Sequence, residues 1–172
     1  TVTVRAAVPL RQPLFAGYKL TRAVSVIKAR HPGQLTRGDV LRVTLTVDAS
    51  AERNWVAVTD PVPAGATILG DIGGQSKLLQ QGEQHGGSSF GALIGGKAYE
   101  VDVGAQPAYV ERGKDAWRGY WSWVPAGRFV TSYTLRLNGA GRFSLPPSRV
   151  EAMYSPAVRA QLPNAVVEVG ER

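Results

Sequence analysis

The chain has 172 residues, no cysteine, 20 glycines, 11 prolines and a formal net charge of +7. A chain of this length can bury roughly 70% of the surface its unfolded form exposes, enough for one core without staples, and the missing thiols exclude disulfides, thiolate zinc sites and cysteine nucleophiles. No apolar stretch approaches the ~20 residues of a membrane-spanning helix, and no apolar-periodic run of helical length interrupts the Gly and Pro punctuation, so the expected class is all-β.

In chain order, Thr1 to Val8 and Leu20 to Lys28 read as strands joined by a Pro- and Gly-punctuated link from Pro9 to Gly17. The start at Thr1, with neither Met nor a signal-like apolar region, leads to the expectation of a fragment or processed piece of a longer protein. Asp39 to Asp48 is the cleanest strand, with Leu41, Val43, Leu45 and Val47 on one parity and Arg42, Thr44 and Thr46 on the other. Asn54 to Asp60 follows, then a turn at Pro61-Val62-Pro63-Ala64-Gly65, where Pro63 fixes its own φ and biases Val62 to extended geometry. Ala66 to Leu69 resumes an extended path.

From Gly70 to Lys97 nine glycines and no sustained periodicity predict a long surface loop or insertion. Order returns near Tyr99, with strands at Tyr109 to Arg112, Ala116 to Val124, Arg128 to Asn138, Arg142 to Leu145 and Ala165 to Val169. Phe129, Thr131, Tyr133, Leu135 and Leu137 share one parity, so Gly127 to Pro156 reads as a β-hairpin leaving through Leu145-Pro146-Pro147 and a Glu151-Ala152-Met153-Tyr154 box. Short strands separated by turn signals predict a single domain, an antiparallel two-sheet β-sandwich of immunoglobulin- or fibronectin-like architecture.

The excess charge is confined to the first quarter. Arg5, Arg11, Lys19, Arg22, Lys28, Arg30, Arg37 and Arg42 stand against Asp39 alone, whereas the remaining twelve basic and twelve acidic residues cancel. Such a bias is either the solvated face of two strands, which the dispersed spacing favours, or a basic face for an acidic partner.

Several patterns invite chemistry. Gly87-Ser88-Ser89-Phe90-Gly91 fits the G-x-S-x-G of hydrolases, but no apolar strand leads into it, no helix follows, and His31 and His85 both precede Ser88, which breaks the order Ser, acid, His. Gly91 to Lys97 has phosphate-loop spacing, yet Ala98 replaces the hydroxyl that holds magnesium. Arg37-Gly38-Asp39 matches an adhesion tripeptide at a place where a turn must enter the strong strand. Two isolated histidines and no clustered carboxylates give no metal site, and neither a catalytic residue nor a cofactor is expected. Trp117, Trp121 and Trp123 share a strand face with Gly119, as core or as an exposed platform for sugar or peptide, and Tyr120 on the opposite parity is the better surface candidate.

With the strands placed, a set of motifs resembles the last domain of bacterial α2-macroglobulin-like proteins. The carriers are Gly38-Asp39-Val40 before the strong strand, the Trp-Val-x-Val-x-Asp-Pro-x-Pro-Ala-Gly-Ala run from Trp55 to Ala66, and the aromatic strand from Trp117 to Gly127. Tyr133 to Pro156 and Pro163-Asn164 complete a match spanning about 130 residues. The resemblance implies a macroglobulin-type sandwich in the position of the animal receptor-binding domain, within a periplasmic or otherwise extracytoplasmic protease trap whose parent could carry an inner-membrane anchor. In that family a protease cuts a bait region and is caged as the molecule rearranges. A thioester of Cys and Gln occurs in some members, but this chain has no Cys to supply one. The implied role is non-enzymatic docking on neighbouring domains of the parent, which itself engages proteases. Arg22, Lys28, Arg42 and Tyr120 are the candidate partner surface, with neither nucleic acid nor direct membrane insertion expected. An adhesion or carbohydrate-binding sandwich using Tyr120 and the Trp face is the alternative.

Overall fold

Alternation dictates the strands, and the turns fall where Gly and Pro require them. The structure, a computed structural model, describes residues 2–3, 10–70, 87–94, 97–102 and 107–171, with 87–94 and 97–102 given as backbone. The described residues form strands and no helix: β1 (Leu14–Ala16), β2 (Tyr18–Lys28), β3 (Val40–Ala49), β4 (Arg53–Pro61), β5 (Thr67–Leu69), β6 (Gly87–Ile94), β7 (Lys97–Asp102), β8 (Tyr109–Arg112), β9 (Ala116–Val124), β10 (Gly127–Arg136), β11 (Gly141–Phe143), β12 (Ser148–Ala152), β13 (Ser155–Leu162) and β14 (Val167–Val169). One sheet runs β1-β13-β12-β4-β9-β8 and the other β2-β3-β10-β6-β7, with β5 also on β10 and a β11-β14 ribbon beside them. The named strand pairs are antiparallel, so the expected two-sheet sandwich is the observed architecture.

The core lies between the two sheets. Val43, Leu45 and Val47 of β3 are fully buried, and β10 pairs with β3 from Gly127↔Ala49 to Arg136↔Val40, setting Phe129, Tyr133 and Leu135 beside them. The other sheet contributes Val56 and Val58 of β4, Trp117 and Trp121 of β9, Val150 of β12 and Ala160 of β13. Trp121 packs on Phe129 with ring centroids 5.4 Å apart, and Trp117 stacks on Tyr133 at 5.3 Å and 4°. Gly119 makes room for this. A Cβ there would lie 2.6 Å from the Trp117 ring and 2.7 Å from that of Trp121.

Several expectations need correction. The predicted hairpin between Gly127 and Leu145 does not form, because β10 already has β3 on one edge and β5 and β6 on the other; β11 pairs with β14 instead. The hairpin lies further on, between β12 and β13, with Ala152 opposite Ser155 and Met153-Tyr154 at its turn. The expected link before Gly17 contains β1, which pairs with β13. Within the Gly-rich stretch, residues 87–94 run as β6 against β7, since ladder hydrogen bonds need no side-chain alternation. The expected Thr1 to Val8 strand lies largely outside the described residues, as do 71–86 of the Gly-rich stretch.

Candidate docking surfaces

Strand parity carries Arg22 inward. It follows Tyr18 and Leu20 on one face of β2, and its Nε lies 3.0 Å from both carboxylate oxygens of Asp60 on β4 in the opposite sheet. The Asp60 side chain is 0% exposed and that of Arg22 only 13%, so this ion pair crosses the core. Tyr133 donates its hydroxyl proton to Asp60 Oδ2 at 2.5 Å, and Ser148 donates to Oδ1. Asn164 closes the set by donating to Ser148 Oγ at 3.0 Å and to the Pro146 carbonyl at 2.7 Å. Burial, followed by the Asp60 charge and hydrogen bond, pushes the Tyr133 hydroxyl well above its ordinary range.

The four residues expected as one partner surface are therefore dispersed. Arg22 joins the internal network. Lys28 is exposed at the end of β2, and Arg42 is half-buried on the outer parity of β3, opposite Ser25 and Thr134. Tyr120 stacks on Tyr109 at 6.0 Å and donates to Glu111 at 3.3 Å. Burial, and then the Glu111 charge, raises the Tyr120 hydroxyl. Arg118 bridges Glu111 at 2.9 Å and Asp115 at 2.5 Å, so this outer face of β8 and β9 is tied into its own sheet.

The patterns with chemical overtones resolve structurally. Ser88 sits opposite Phe129 in a continuing strand, with no strand-to-helix elbow, and His85 lies outside the described residues. Of the phosphate-loop spacing, Gly91 to Ile94 lie in β6 and Lys97 opens β7. Gly38 adopts φ +99°, and the Asp39 carboxylate turns inward to accept from the Thr36 amide at 2.8 Å, the Arg30 amide at 3.1 Å and the Thr36 hydroxyl at 3.2 Å. The tripeptide is a turn. Among the described residues no group of His, Cys, Asp and Glu could hold a metal.

A surface the sequence reading did not assemble lies at one end of the β4 sheet. Trp55, inside β4, has φ +55°, unlike any other described non-glycine residue. That left-handed conformation costs roughly 1–2 kcal/mol for a residue with a Cβ. Trp55 is nevertheless 48% exposed, so its ring is only half-buried. Its carbonyl accepts from the Met153 amide at 2.8 Å, and its ring meets that of Tyr154 edge-on at 6.4 Å and 87°. Burial alternation in neighbouring β9 breaks beside it: Trp121 and Val124 are buried while Trp123 is 45% exposed. The expected Trp face is thus split, two indoles in the core and one outside. Trp55, Trp123, Tyr154, Arg53 and Ala152 line a depression of about 600 Å³, with Tyr154, 79% exposed, projecting from the turn. An αL residue on a half-exposed aromatic makes this depression a candidate site.

A profile of the bacterial alpha-2-macroglobulin MG10 domain matches residues 17–157. The chain belongs to this family. Nothing among curated proteins matches it. Among solved structures, native alpha-2-macroglobulin from Escherichia coli spanning MG7 to the C-terminus is 19% identical, with TM-score 0.67 over 94% of this chain and 24% of that one. The native conformation of the E. coli protein by cryo-electron microscopy is 21% identical, with TM-score 0.66 over 95% of this chain and 10% of that one. Salmonella alpha-2-macroglobulin reacted with methylamine is 20% identical, with TM-score 0.65 over 92% and 9%. The chain thus spans between 9% and 24% of the length of these relatives. Residues far apart in the sequence meet in space: the motif residues Asp60, Tyr133 and Asn164, with Ser148 between them, form one hydrogen-bonded set. Trp55, Met153 and Tyr154 form another.

Proposed function

We propose that this MG10 chain is a single, C-terminal, non-enzymatic module of a bacterial alpha-2-macroglobulin-like protease trap outside the cytoplasm. It docks on neighbouring domains of its parent through the Trp55–Trp123–Tyr154 depression and so helps to hold the native state. The observation that carries this reading is Trp55, strained and half-exposed at once, which a partner would cover. An interface centred on Trp and Tyr anchors has the make-up of a binding hot spot. The relatives have been captured in a native conformation and after activation by porcine elastase, so the proposed partner contact would be one that such activation rearranges.

In the parent chain, Tyr154→Ala and Trp55→Gly are expected to enlarge the native molecule in small-angle scattering and to diminish the compaction that follows protease addition. Native dimensions and a protease response identical to the parent's in both variants would refute the assignment. The exposed indoles also suit the second reading, a sugar- or peptide-binding sandwich. Saturable quenching of Trp55 and Trp123 emission by an oligosaccharide, lost in Trp123→Ala, would favour that reading over docking.

A further inference from the structure

Three of the eight basic residues of the first quarter, Lys28, Arg30 and Arg37, gather at the other end of the sandwich. β3 runs between the two places, and its ten residues at about 3.3 Å each make the separation on the order of 30 Å. A register shift between Val26 and Lys28 brings Lys28 opposite Val40, and Arg136 pairs with Val40 from the other side, so two cations flank one position of the sheet. Arg30 and Arg37 approach from the connection between β2 and β3, closing a concavity of about 360 Å³. All four side chains are exposed, and among the described residues none has an acidic partner within ion-pair distance.

The floor of this concavity is fixed. The Gly38 amide donates to the Leu137 carbonyl at 2.6 Å, the Leu137 amide to the Asp39 carbonyl at 3.0 Å, and the Arg37 amide to the Gly170 carbonyl at 3.1 Å. Asp39 faces inward onto two amides and a hydroxyl. Four positive charges and one negative leave a net +3, directed into a site that is already ordered. Like charges around a preformed hollow repel one another, and an anion entering it relieves that repulsion.

We propose that this pocket receives an Asp- or Glu-bearing segment of another domain of the same parent chain, a second docking surface distinct from the aromatic depression. The inference rests on the reading of the chain as a docking module. Shape favours a peptide over a polyanionic surface: the cations converge on a hollow sized for a few side chains, whereas a bilayer or nucleic-acid duplex calls for an extended basic face. A carboxylate tethered in the same parent chain reaches the site at high effective concentration, so modest intrinsic affinity suffices.

The test titrates the 15N-labelled 172-residue chain with the peptide acetyl-Gly-Glu-Asp-Glu-Gly-amide at low salt. The amides of Arg37, Gly38, Asp39 and Leu137 are expected to shift saturably, with affinity falling at least tenfold between 50 and 500 mM salt. The Gln/Asn version of the peptide should shift none of them. R37E/R136E should weaken binding tenfold or more while keeping thermal midpoint and spectral dispersion, and Tyr154→Ala should leave it unchanged. That last variant separates failure of this site from failure of the aromatic one. The proposal is overturned if R37E/R136E binds as tightly as the parent. It is equally overturned if inorganic phosphate or phosphatidylglycerol vesicles bind at these amides and the peptide does not.

Discussion

Asp60 is the position where one substitution should do most harm. Its carboxylate is wholly buried and takes hydrogen bonds from Arg22, Tyr133 and Ser148, joining β2 and β10 of one sheet to β4 and β12 of the other. Asp60→Asn keeps the shape but leaves the Arg22 guanidinium in the core without a counter-charge and turns an amide NH2 toward hydroxyls that had been donors. Breaking a buried pair from one side costs about 3–5 kcal/mol, and the slight access of water to Arg22 places the expected loss near the lower end of that range. For a domain of this size about 3 kcal/mol lowers the melting midpoint by roughly 6–12 °C. Arg22→Met should cost a comparable amount, and the double variant about 1–3 kcal/mol less than the sum, because neither charge is then stranded. Urea unfolding of all four proteins, read by tryptophan emission, measures the cycle. Single-variant losses below about 1 kcal/mol, the scale of exposed ion pairs, or strict additivity, would refute an internal role for Arg22.

Gly119→Ala places a methyl within 2.8 Å of the Trp117 and Trp121 rings and should cost about 1–3 kcal/mol by overpacking; an unchanged urea midpoint would show that the two indoles yield freely. Alkaline pH should destabilise the fold. Burial pushes the Tyr18 hydroxyl up to about 12, against a smaller opposing pull from Arg53, and Tyr133 is raised as well. The unfolded chain releases these protons near pH 10, so the stability they lend is complete below about pH 10 and lost as pH climbs toward 12. Melting midpoints between pH 8 and 11.5 should fall, and less steeply in Tyr18→Phe; parallel curves would contradict this. Acrylamide should find two tryptophan populations, and Trp55→Phe/Trp123→Phe should leave only blue-shifted, poorly quenched emission. A readily quenched remainder would mean that Trp117 or Trp121 is not in the core.

Much of the fold was legible because burial imposes a period of two. Val43, Leu45 and Val47 announce β3, and Phe129, Tyr133 and Leu135 announce β10, each from a strand whose inner parity is entirely covered. Pairing was less legible. β10 and β11 are adjacent in sequence, but occupancy of both β10 edges is a property of the assembled sheet and appears in neither strand alone. The Gly-rich β6 was hidden for the opposite reason, since a ladder made of backbone groups needs no side-chain pattern to advertise it.

Function was legible as charge and as motif, but not as place. Arg22 shares the parity of Tyr18 and Leu20, and that signal could have marked it as inward-facing, yet its partner Asp60 lies 38 residues away in the other sheet. Arg136 belongs to the balanced part of the sequence and enters the basic pocket only because β10 pairs with β3. The net +7 of the chain therefore divides by topology. One cation of the basic quarter helps to hold the sheets together, while Lys28, Arg30 and Arg37 are joined by an outsider at the far end. The Trp55–Tyr154 pair follows the same logic, because the motif residues were recognisable one at a time but the left-handed turn of Trp55 that brings them together was not. Docking surfaces on a sandwich are set by which strand ends converge, so register, more than composition, decides which charges and rings a partner can meet.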